Sequence, residues 1–254
     1  MNRSWNAMLV ALAALTLPLC AATTSAVVFD KPVDKQVVKL PADPDNPQAK
    51  PKRSCYFYSG FMVKEVDLGE KGAAMLSITP LAKSAQKPSC DAKTANEVVI
   101  KGHDWLGYFG GVKGEFIIFA AADGVNGGMP FAVYSAKTGK KLFEDSAGTE
   151  LFRSIQLSNN GVILRYTRVF LAPCSLYADA KGCWAKIKAA ASITRADVPD
   201  CRNDYEKEMK RTPKYAKDIA AGRSVIGYNV EARYSNGKLT LTPTAGPIAC
   251  WLED

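Results

Sequence analysis

Three aromatic side chains and four glycines crowd the decapeptide Gly102–Gly111 (GHDWLGYFGG), together with the only histidine of the chain. Glycine lets the backbone turn sharply. Trp105, Tyr108 and Phe109 could therefore offer a stacking platform to a sugar or another ligand, with His103 and Asp104 hydrogen-bonding beside it. The same rings could instead plug a core at a strand end, the commoner use of large aromatics.

A second chemical surface is basic. Lys207, Lys210, Arg211, Lys214 and Lys217 recur at spacings of three and four residues, which on a helix would form a stripe toward an anionic surface such as phospholipid, lipopolysaccharide or acidic polysaccharide. Pro213 interrupts that helix, and Glu206, Glu208 and Asp218 dilute the charge, so a merely solvated face is the competing reading.

One histidine excludes any site built on two, including a His-rich zinc cage. A Ser-His-Asp hydrolase would have to use His103, and no GxSxG elbow is present. Without CxxC or CxxCH there is no signal for thioredoxin-like redox chemistry or covalent haem. No cofactor and no metal are expected. Glycoside hydrolysis needs only two carboxylates at a set separation. Asp104, Glu115 and Asp123 are available for it among many others, and sequence alone does not choose between them.

The compartment follows from the N-terminus and the cysteines. One cation, Arg3, precedes the uncharged run Ala7–Leu19, and the small residues Thr24-Ser25-Ala26 follow, the order of a secretory signal peptide. At about 1.5 Å per residue the run spans about 20 Å, short of the roughly 30 Å hydrocarbon core. Cleavage after Ala26 removes Cys20 and Arg3, so seven cysteines become six and the formal charge of +8 becomes +7. An even count in an exported chain reads as disulfides. Spacing favours Cys55–Cys90, Cys174–Cys183 around a short loop, and Cys201–Cys250. The mature chain is expected to be periplasmic or secreted, with no transmembrane segment.

The elements that must position these residues are mainly strands. Residues 27–53 read as an extended strap, with four prolines between Pro41 and Pro51. From Ser54 onward, period-two alternation predicts strands over 55–66, 74–79, 97–101, 115–121, 131–135, 141–143, 152–157, 162–171, 225–234 and 238–242. These form antiparallel sheets with one face in solvent. A hairpin about Asn236-Gly237 pairs Tyr234 with Leu239, Ala232 with Leu241, Glu231 with Thr242 and Arg233 with Thr240. A second, about Asn160-Gly161, pairs Leu157 with Leu164, Ile155 with Tyr166 and Gln156 with Arg165. The segment Phe131–Phe143 looks like the outer part of a β-propeller blade, but no second copy follows at a fixed period. Helical signals occur at 204–211 and, after Thr212-Pro213, at 214–221 before Gly222, with Tyr215 and Ile219 facing the sheet.

The expectation is a signal peptide (1–26), the strap (27–53) and one disulfide-stabilised β-rich domain (54–254). That domain would be an antiparallel sandwich or irregular barrel, with a propeller-like meander as the alternative and one helical insertion near 202–221. Functionally the sequence suggests a non-enzymatic binding or interaction module of the cell envelope. Its partner would be an anionic envelope component or another envelope protein, not nucleic acid. A carboxylate-dependent hydrolase of envelope glycan is the alternative.

Overall fold

A computed structural model describes residues 27–82, 87–100, 107–195 and 197–254. The expected signal peptide lies outside the described residues. Two antiparallel sheets carry the fold, and neither closes into a barrel. The first is a meander of β1 (Asp34–Lys39), β2 (Lys52–Tyr58), β3 (Phe61–Asp67), β4 (Met75–Pro80) and β5 (Val98–Ile100). The second contains β6 (Gly107–Lys113), β7 (Phe116–Ala121), β8 (Met129–Ser135), β9 (Lys141–Ala147), β10 (Ser154–Ser158), β11 (Gly161–Leu171), β12 (Ser224–Ser235), β13 (Lys238–Pro243) and β14 (Ala249–Leu252). Its order is β13-β12-β11-β9-β8-β7-β6, with β10 beside β11 and β14 beside β12. Between β11 and β12 lie α1 (Ala180–Ala191), α2 (Arg202–Arg211), a 3-10 turn (Pro213–Tyr215) and α3 (Ala216–Ala221).

The period-two pattern of β7 and β8 explains the layering. Ile117, Phe119, Ala132 and Tyr134 point to the first sheet and pack with its Phe61, Val63, Leu76 and Ile78. Their neighbours Phe116, Ile118, Phe131 and Val133 point the other way, into a core shared with β11, β12 and the helices. These central strands are therefore buried on both faces, which corrects the expected solvent face and accounts for the nearly continuous apolar run FIIFAA. Rings of one half of the large sheet meet rings of the other: Phe131 lies 5.2 Å from Tyr166, and Phe143 lies 5.4 Å from Tyr234. The sheet thus folds over so that its halves face one another. Trp184 and Ile187 of α1 and Tyr205 of α2 are fully buried in the same core.

On the outer face of the first sheet, the segment before β5 is stitched down by Cys55–Cys90 and by an ion pair. Lys64 and Glu97 meet at 3.0 Å with side chains 4% and 2% exposed. Burial would raise the Glu97 carboxyl's pKa, but bonds from Ser77, Lys64 and the Thr94 N–H outweigh it and hold it below its usual value. Cys174–Cys183 ties the first turn of α1 to the loop before it, and Cys201–Cys250 ties the start of α2 to β14.

The hairpin at Asn236-Gly237 has the pairing read from its sequence, with φ of 50° and 77° at its two turn residues. The other hairpin differs. Leu157 pairs with Val162, Ile155 with Leu164 and Gln156 with Ile163, so the turn residues are Asn159-Asn160 and the register moves by two. The apolar face is preserved because the shift is even. Gly161 is needed for another reason: a Cβ there would overlap the Tyr234 carbonyl of the neighbouring strand. The predicted strand 55–66 is two strands around Ser59-Gly60, and six residues of the expected strap are an edge strand, β1, paired with β2. The fold has sheet-on-sheet packing in place of propeller blades. Helix α1 joins the predicted helical insertion: Asp179, read as part of a loop, is its N-cap and accepts from the Gly182 N–H at 2.9 Å.

Gly161→Ala is expected to lower stability by about 2 kcal/mol or more, because only a backbone shift relieves the overlap. Gly60→Ala, with open space around it, should stay within about 0.5 kcal/mol. Urea denaturation of both variants checks this.

Candidate functional site

Of the proposed aromatic platform, His103, Asp104 and Trp105 lie outside the described residues. Tyr108 and Phe109 sit on β6, half-buried, and serve the inter-sheet packing. The Tyr108 hydroxyl accepts from the Gly72 N–H at 2.9 Å and donates to the Glu70 carbonyl. The Phe109 ring lies 4.6 Å from Tyr56, and its N–H donates to Glu65 at 2.7 Å. Glu65 shares the inward face of β3 with Phe61 and Val63. Burial there pushes its carboxyl pKa up, against the opposing effect of the Phe109 N–H.

Of the carboxylates named for glycan hydrolysis, Asp104 lies outside the described residues, and the other two do not converge. Glu115 and Asp123 lie beyond opposite ends of the six-residue β7, whose length of about 20 Å keeps them too far apart to straddle one glycosidic bond. Each is paired with a lysine, Lys137 and Lys71 respectively. Among the described residues, no three His, Cys, Asp or Glu side chains gather as a metal site would need.

The basic residues are all exposed. Pro213 divides them, with Lys207, Lys210 and Arg211 on α2 and Lys214 and Lys217 beyond it. Tyr205 anchors the segment from below: its hydroxyl bonds the Gly222 carbonyl and Ser224 Oγ, both at 2.8 Å, and its ring stacks on Tyr177. Ile219 packs inward as expected. Tyr215 does not: it is 49% exposed, with Lys214 Nζ 4.6 Å above its ring. The 3-10 turn set by Pro213 breaks the helical spacing that would have aligned it with Ile219. Arg211 pairs with Glu208, whereas Lys207, Lys210 and Lys217 have no ion pair with any described residue.

Two features escaped sequence reasoning. The first is a polar cluster on the inner face. Asp145 of β9 accepts both of its oxygens' bonds from Arg168 Nε at 2.9 Å and a further one from the Tyr166 hydroxyl at 2.5 Å. Arg168 Nη1 donates to the Tyr228 hydroxyl at 3.0 Å. Burial and the adjacent carboxylate push the Tyr166 hydroxyl pKa far up, and burial raises that of Tyr228. A signal existed: Arg168 falls in phase with Val162, Leu164 and Tyr166, a charge on the apolar face.

The second is a groove along β12. β13 covers that edge as far as Val230, opposite Pro243, and β14 covers it only from Gly227, opposite Ala249. Pro243 and Pro247 lack the N–H a ladder needs, so the chain between them arches away from Tyr228 and Asn229. Asn229 holds the arch, accepting from the Thr244 N–H at its carbonyl and donating from Nδ2 to the Ala245 carbonyl at 3.0 Å. Opposite, the αL residue Ser192 ends α1 and brings Ile193–Arg195 to the other wall.

No family model matches this chain, and neither a curated protein nor a solved structure matches it.

Glu65 gives a pH test. Its folded-state pKa lies above the ordinary 4.5, so its contribution to stability is complete below that value and is lost as pH rises through the folded-state pKa. Glu65→Gln keeps an oxygen for the Phe109 N–H and removes the buried charge. Its melting temperature should exceed that of the parent at pH 7 and converge on it near pH 4; a lower melting temperature at pH 7 would contradict the assignment.

Proposed function

We propose that this protein is an exported, non-enzymatic binding module of the cell envelope, and that the α2–α3 segment docks it on an anionic, phosphate-bearing envelope surface. The three disulfides support an oxidising, extracytoplasmic setting. No helix among the described residues is long and apolar enough to cross a membrane.

The observation that carries this reading is the sidedness of the segment. Tyr205 and Ile219 face the core, while Lys207, Lys210, Lys214 and Lys217 are exposed, with Lys214 over the exposed ring of Tyr215. A basic surface that carries an exposed aromatic ring suits an interface of phosphates over an apolar layer. Near such a surface each lysine contributes about 1 kcal/mol. Four of them supply at most roughly 4 kcal/mol, from which the exposed Glu206 and Asp218 subtract, enough for reversible docking and too little for permanent anchoring. The hydrolase reading gains no comparable support. In the shallow groove beside α2, Asp204 accepts the Leu252 N–H, and Glu208 and Glu253 pair with Arg211 and Arg223.

Sedimentation with lipid vesicles tests the reading. The protein should bind vesicles containing phosphatidylglycerol and not pure phosphatidylcholine. Binding should fall steeply as salt rises and the screening length shrinks from about 10 Å at 0.1 M to about 3 Å at 1 M. The folded variant K207E/K210E/K214E/K217E should lose binding. Equal binding by this variant and the parent, or by neutral and anionic vesicles, would refute the proposal.

A further inference from the structure

The groove on β12 is an open cleft with one charged side chain among its described lining residues. It offers about 280 Å³, open to solvent on one side, between the arch Thr244–Ile248 and the Ile193–Arg195 segment. A smaller hollow of about 150 Å³ continues on the far side of Arg195 and Pro247. Ile193, Ile248 and Tyr228 supply apolar surface to the larger one, and Thr194 and Thr244 supply hydroxyl groups. Arg195 is the single charged side chain among its described lining residues. Arg195 Nη1 donates to the Gly246 carbonyl at 3.2 Å, which lays the guanidinium across the cavity toward the arch. Among the described residues its ion-pair partner is Asp197, 3.6 Å from Nε and 81% exposed, an open surface pair that a better-placed carboxylate can displace.

Position and chemistry together select a ligand class. The Arg195 guanidinium, 50% exposed and beside the apolar surfaces of Ile193, Ile248 and Tyr228, attracts an anion, and its planar fork matches a carboxylate's two oxygens. One cation with apolar walls suits a monoanion carrying an organic body better than a phosphate dianion. The volume lies at the small end of ligand sites, about right for one residue of a polymer. The arch is fixed in advance by Asn229: Gly246 has φ of 143° and passes so close that a Cβ would overlap the Asn229 amide.

We propose that this groove binds a small organic carboxylate of about one sugar-acid or amino-acid residue, with Arg195 as its anchor. The site is separate from the α2–α3 surface, and the charge-reversed helix variant should retain it. Two sources share this chemistry, an acidic sugar unit and a peptide's terminal carboxylate. Titration of the ¹⁵N-labelled, oxidised protein with glucuronate and with N-acetylalanine distinguishes them, with glucose and N-acetylalanine amide as uncharged counterparts. The expected result is saturable shifts of the Arg195 Nε–H and the Thr244 and Gly246 amides with at least one of the acids and not with its uncharged counterpart. The acid that saturates identifies the source. Arg195→Gln, whose loss leaves the ladders and core untouched, should weaken that binding by about tenfold or more. Equal shifts with the uncharged counterpart, no saturable shift with either acid, or unchanged binding by Arg195→Gln would each overturn the proposal.

Discussion

The ion pair between Asp145 and Arg168 closes the large sheet at its thinnest point. Arg168 with Ala147 is the one register pair between β9 and β11, extended only by the bond from the Gly148 N–H to the Thr167 carbonyl. A sheet folded back on itself needs something at that seam besides a ladder. The side chains supply it: Asp145 is 8% exposed and Arg168 19%, and Tyr166 and Tyr228 complete the network from β11 and β12. Taking two charges partly out of water costs several kcal/mol, which four hydrogen bonds within one cluster can offset. Burial opposes the charge on Arg168, yet Asp145 and Tyr228 outweigh it and keep the guanidinium firmly protonated.

Much of the architecture depends on that closure. The facing halves bring Phe131 against Tyr166 and Phe143 against Tyr234, and the enclosed space takes Trp184 and Ile187 from α1. Tyr228 belongs both to the clasp and to the wall of the groove, so the strand edge from which Asn229 holds the arch is fixed by the same network. The helices at the other end of β14 are secured independently, by Cys201–Cys250 and by Tyr205 against Ser224. The two candidate surfaces therefore rest on separate supports. A change at one need not disturb the other.

What the sequence revealed follows the range of the interactions involved. Alternation in β12 and β13 and the Asn236-Gly237 turn are local, and their register was readable residue by residue. The two-residue slip at β10–β11 arose because Gly161 looked like a turn glycine, when its role is to admit the Tyr234 carbonyl of a strand more than sixty residues later. Burial of both faces of β7 needs the first sheet, a partner that no local window contains. Helix α1 left a trace in the spacing of Cys183, Ile187 and Ala191, overshadowed by the loop reading of Cys174–Cys183. The basic residues were legible as surface, whereas the groove was not. It depends on where β13 stops and β14 starts, which only the pairing of both with β12 determines.

A double-mutant cycle on Asp145 and Arg168, followed by urea denaturation of the oxidised protein, tests the central claim most directly. If the pair closes the folded-over sheet, Asp145→Ala and Arg168→Ala should each cost about 2–4 kcal/mol, since each strands a partly buried charge. The double variant should then be less destabilised than the sum, with a coupling energy of about 1.5 kcal/mol or more. Losses that add to within about 0.5 kcal/mol would show that the two residues act independently and would contradict the account.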